Sequence, residues 1–80
     1  MTAVVNGITH LTSDTFRLTV ERDGVTEHCT FHRTGEGLLS GVHWDEPVEP
    51  LWDFAPLRAL NKAALRIGQG EDVPLPLTLG

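Results

Sequence analysis

An α+β fold, a four-stranded antiparallel meander with one helix packed across one face, is predicted by three features of the chain. The first is the segment Phe16 to Phe31, two alternating apolar/polar runs joined by Asp23-Gly24. The second is a set of apolar residues at helical spacing after Asp53, and the third is the pair of prolines, Pro47 and Pro50, that separates sheet from helix. Asp-Gly tolerates positive φ at both central positions of a type I′ turn, so it predicts a two-residue hairpin and fixes its register. Arg22 then pairs with Val25, Val20 with Glu27, Leu18 with Cys29 and Phe16 with Phe31.

Directly paired residues share a face. Phe16, Leu18, Val20, Val25, Cys29 and Phe31 therefore form an apolar face, and Arg17, Thr19, Glu21, Thr26, His28 and Thr30 a polar one, with Glu27 the exception on the apolar side. Residues 3–10 form the first strand, with Gly7 marking a bulge or bend. Leu11 to Thr15 makes a turn. After the hairpin, residues 32–37 form a second connection and residues 38–44 a fourth strand. A tight turn at Gly35-Glu36 would pair Cys29 with Val42 and His28 with His43, placing Ser40 and Trp44 on the apolar face.

The helix is predicted from Phe54 to about Ile67, with Asp53 as N-cap, Pro56 in the first turn and Gly68 as its end. Phe54, Leu57, Leu60, Ala64 and Ile67 recur every three or four residues and form the face that packs on the sheet. Residues 1–72 are read as one small domain and residues 73–80 as an extended Pro/Leu tail, because Pro74 and Pro76 bar a central strand. Leu75, Leu77 and Leu79 are expected to pack on a sheet edge or on another subunit.

Eighty residues bury only about 60–65% of the surface of the unfolded chain, so a core of this size gains from a partner. A net charge of −5 argues against nucleic acid and acidic membrane surfaces as ligands. No segment is long and apolar enough to span a bilayer, and the start lacks the basic and apolar runs of a secretory signal. With a single cysteine, Cys29, these features predict a cytoplasmic protein.

The candidate chemistry lies on the polar sheet face. In the register above, His28 and His43 stand opposite each other with Cβ atoms about 5 Å apart, and Asp45, two residues beyond, is the reachable third ligand for zinc or another divalent metal. His32, about 13 Å along the strand from His28, is too distant to join them. Cys29 points away from His28, so the two cannot form a nucleophile-base pair, and the thiol is read as core. Gly35-Glu36-Gly37 lacks the Lys and Ser/Thr of a phosphate loop.

Arg58, Lys62 and Arg66 form a basic ridge along the helix that holds half of the six Lys and Arg residues. A charged helix face is ordinary, and the ridge carries no interleaved aromatics for bases. It suits an acidic patch on a partner or on a second copy. Trp44 is assigned to the core and Trp52 to a contact surface, since tryptophan is enriched among interface hot spots. The function these features predict is a non-enzymatic interaction or assembly module without a cofactor, working as a homodimer or with another protein through Trp52, the ridge Arg58, Lys62 and Arg66, and the tail leucines. The alternative is a metal- or small-ligand-binding protein using His28, His43 and Asp45.

Overall fold

The computed structural model describes residues 2–34, 39 and 41–79. Its α+β architecture is one antiparallel sheet with a single helix on its apolar face. The strands are β1 (Ala3–His10), β2 (Thr15–Arg22), β3 (Val25–His32), β4 (His43–Trp44) and β5 (Leu77–Thr78), in the order β4-β3-β2-β1-β5. The helix α1 spans Phe54–Gly68.

The central hairpin has the predicted register at every pair, from Thr15 with His32 to Arg22 with Val25. Asp23 and Gly24 adopt φ of 49° and 85°, the two left-handed positions that a type I′ turn requires. The turn is further tied to the chain preceding β1, since Asp23 N–H donates to Thr2 C=O and Thr2 N–H donates to Asp23 Oδ1, both at 3.0 Å. In β1 the register slips between Val5 and Gly7, so the bulge expected near Gly7 is present, with Asn6 as the extra residue.

The extended tail docks on a sheet edge and adds a fifth strand there: Leu77 and Thr78 pair with Val5 and Val4, and Leu79 N–H donates to Ala3 C=O at 2.8 Å. Pro76 immediately before this pair limits it to two residues, since proline has no N–H to contribute. The fourth strand is corrected: among the described residues it is His43–Trp44, with Gly41 and Val42 outside it and Leu39 meeting Arg33 in an isolated bridge. The Gly35-Glu36-Gly37 turn and Ser40 lie outside the described residues.

The core joins Ala3, Val5, Phe16, Leu18, Val20, Cys29 and Phe31 of the sheet to Leu60, Ala64 and Ile67 of α1, with Trp52, Val73 and Leu79 closing its margins. Phe16 and Phe31 stack at 5.6 Å, as directly paired aromatics do. Val25, on the same face, is 57% exposed because it sits at the hairpin tip, beyond the reach of the helix. Glu27, the exception on the apolar face, is buried against Arg22: Arg22 Nη2 lies 3.1 Å from Glu27 Oε2, and Trp52 Nε1 donates to Glu27 Oε1 at 3.1 Å. Arg22 Nη1 also donates to Pro50 C=O. This network fastens the proline-containing connection onto the sheet and satisfies the charged groups that the connection covers.

Helix α1 begins where predicted, with Asp53 at the N-cap position, although its side chain makes no cap hydrogen bond. Its last residue is Gly68, one beyond the predicted Ile67. Gly68 is inside the last turn, Gln69 is the C-cap, and Gly70 adopts φ of 87°. Gly70 N–H bonds Ile67 C=O and Glu71 N–H bonds Arg66 C=O, the paired bonds of a Schellman motif, which needs a left-handed residue where Gly70 stands. The buried stripe is Pro56, Leu60, Ala63, Ala64, Ile67 and Gly68. Phe54, assigned to that stripe from sequence, is instead 77% exposed. It lies six residues before Leu60, about 120° round the helix, so burying Leu60 turns Phe54 outward.

Candidate functional site

Two surfaces carry the residues singled out from sequence: the polar face of the sheet and the outer face of α1. On the polar face, β4 pairs with β3 two residues out of the predicted register, with Cys29 opposite Trp44 and Thr30 opposite His43. A shift of two preserves the face of every side chain but changes its neighbours. His28 therefore does not face His43. Its carbonyl accepts from Asp45 N–H at 2.9 Å, its own N–H donates to Glu46 Oε1 at 2.7 Å, and its ring Nδ1 lies 2.9 Å from the same oxygen.

The other two predicted ligands are engaged elsewhere. Asp45 Oδ2 is 2.7 Å from Arg17 Nε, and its Oδ1 accepts from Thr30 Oγ1 at 2.7 Å. The His43 ring meets His32 edge-on at 6.2 Å, and His32 Nδ1 lies 3.0 Å from Thr15 Oγ1. The metal set of His28, His43 and Asp45 is thus not assembled. Among the described residues no group of three or more His, Cys, Asp or Glu side chains could hold a metal ion. The cause is the register, which places Asp45 between Arg17 and Thr30, where its charge is neutralised.

Cys29 is fully buried on the opposite face beside Leu18. Burial pushes its thiol up to about 12, and the nearby Asp45 carboxylate adds to the rise. A thiol held neutral in this way is not a nucleophile.

Among the interaction candidates, Trp52 is 8% exposed, packed 5.2 Å from Trp44 and bonded to Glu27, so it is a core residue. Its contact role is corrected for that reason. Leu79 is buried and Leu77 half-buried on this chain's own β1 edge, while Leu75, just before β5, is 38% exposed. Of the two sites expected for the tail, the sheet edge is the one used here.

Arg58, Lys62 and Arg66 are all exposed on α1. Beside them runs a shallow groove of about 360 Å³ lined by Phe54, Leu57, Arg58, Asn61, Lys62 and Leu65. Leu65 is 42% exposed, and Leu51, three residues before Phe54, is 83% exposed. Sequence reasoning found the basic ridge but missed the apolar residues next to it. The available signal was Leu65, an apolar residue off the predicted buried stripe.

The cations differ in how they are neutralised. Arg17 pairs with Asp45, Arg22 with Glu27, and Arg66 Nε lies 3.5 Å from Glu71 Oε2. Among the described residues no carboxylate pairs with Arg58 or Lys62. No helix among the described residues is long and apolar enough to cross a membrane. No family model, curated protein or solved structure matches this chain.

Proposed function

We propose that the protein is a non-enzymatic interaction module whose docking surface is the outer face of α1. The observation that carries this reading is Phe54, 77% exposed on a well-formed helix beside Leu57, Leu65 and two unpaired cations. Covering a phenylalanine side chain is worth about 1.5–3 kcal/mol, and a helix that leaves one out while burying Ala63 and Ala64 has a use for it. The polar sheet face gives less support to a ligand site, because His28 and Asp45 already have partners there. The single buried cysteine suits a reducing, cytoplasmic setting.

The reading is tested by placing a photo-crosslinking amino acid at position 54 or 65, and at Thr26 on the polar face as a control, and irradiating cells that express each form. A discrete protein adduct from the helix positions and none from Thr26 is the expected result. Adducts confined to Thr26, or none from either helix position, would overturn it.

A further inference from the structure

We infer that the occupant of the α1 groove is an acidic amphipathic helix of a different protein, lying along the face from Phe54 to Leu65. The inference rests on the docking reading above and adds the chemistry of the partner. At 100° per residue, Leu57, Asn61, Phe54 and Leu65 fall within an arc of roughly 80°, with Arg58 and then Lys62 along one margin only. The surface is therefore an apolar seam with a positive border on a single side. It spans three turns, about 16 Å, the length over which a partner helix presents apolar residues at i, i+3 or i+4, and i+7.

The charge asymmetry chooses among occupants. Two copies of α1 packed antiparallel about a two-fold axis bring identical margins together, which sets Arg58 of one copy beside Lys62 of the second. Packed in parallel, the same margin lies against Leu57 and Ala64 of the second copy. Neither arrangement supplies a carboxylate, so this face does not favour the homodimer expected from composition. A nucleic acid would meet two unpaired cations on a chain of net charge −5, too few to offset its repulsion. A partner helix with Asp or Glu along one flank neutralises Arg58 and Lys62 while its apolar residues cover Phe54 and Leu65. Of the chain's acids, Asp45 and Glu46 are engaged on the sheet's polar face and Glu71 lies beside Arg66, while Asp53 stands before Phe54 at the N-terminal end of the seam.

Selection of a displayed random-peptide library on the full chain tests this directly, followed by titration of the enriched peptides by fluorescence polarisation. Enrichment of sequences that combine Asp or Glu with Leu, Phe or Trp at helical spacing is expected. Phe54→Ala should weaken such a peptide at least about tenfold, as truncation of a hot-spot aromatic does. Arg58→Glu with Lys62→Glu should weaken it similarly, and raised salt should weaken the wild-type complex but not the charge-reversed one. All three residues are exposed, so circular dichroism should show each variant folded.

Basic or uncharged winners, no winners, or winners that bind the variants equally well would overturn the inference. So would a light-scattering mass of twice the chain that Phe54→Asp halves, or an oligonucleotide that binds through Arg58 and Lys62. Crosslinking at positions 54 and 65 reports separately on the docking surface, so an active face with the wrong partner chemistry is distinguishable from an inactive face.

Discussion

Replacing Glu27 by alanine removes the acceptor shared by Arg22 and Trp52 and leaves a buried cation without its counter-charge. The two charged side chains are 5% and 4% exposed, so solvent cannot take over from the lost partner. Deleting one member of a buried pair costs about 3–5 kcal/mol. Arg22 keeps its bond to Pro50 C=O and its position 5.8 Å from the Trp52 ring, which points to the lower end, about 3 kcal/mol. An 80-residue domain has only about 4–12 kcal/mol in total, so this loss leaves it near the unfolding threshold. Urea titration followed by Trp44 and Trp52 fluorescence reads the effect as a fall in midpoint of about 3 M if the slope is about 1 kcal/mol/M. A loss below about 1 kcal/mol would refute the view that the network is desolvated and mutually dependent. The double replacement Arg22→Met with Glu27→Leu removes both charges together and should cost less than Glu27→Ala, the remaining loss of about 1–3 kcal/mol coming from Trp52 Nε1 and Pro50 C=O left without their partners.

Two further outcomes follow from the same structure. Cys29 should resist alkylation at pH 8 in the folded protein and react after denaturation; because its folded pKa, about 12, lies above the ordinary 9.0, the unfolded chain ionises first as pH rises. Stability should therefore fall above pH 9 by up to about 1.4 kcal/mol per pH unit, a slope that Cys29→Val lacks when urea midpoints are compared at pH 8 and pH 10. Deleting residues 75–80 removes buried Leu79 and half-buried Leu77 and should cost about 3 kcal/mol by thermal or urea unfolding, with amide exchange speeding first at Val4 and Val5.

The central hairpin was fully legible because Asp23-Gly24 dictates turn type, and turn type dictates register. Glu27 was recognised as anomalous on the apolar face, but its partner Trp52 lies 25 residues further on, a separation that no local pattern encodes. The β3–β4 pairing failed for the opposite reason to the hairpin's success: a glycine-containing connection admits several turns, so the face of each residue was readable and its neighbour was not. The metal candidates fell with that neighbour. On α1 the repeat of large apolar residues drew Phe54 into the buried stripe, whereas Pro56, Ala63 and Gly68 contribute to the packed face. Small residues carry little signal in a hydrophobic pattern, yet they let a helix lie close to a sheet.

The strand order also sets how the molecule comes apart. The β2–β3 hairpin closes over a two-residue turn, but β5 reaches β1 across more than seventy residues of chain and holds it by two paired residues and the Leu79 amide. Closing so long a loop is entropically costly and slow, so β5 should be the last element to dock and the first to open. While it is open, β1 offers unpaired amides and carbonyls at an edge next to Ala3 and Val5, which are otherwise sealed. The tail thus acts as a clasp against unwanted strand pairing, and the protein's tendency to aggregate should track the opening of those two residue pairs more closely than global unfolding.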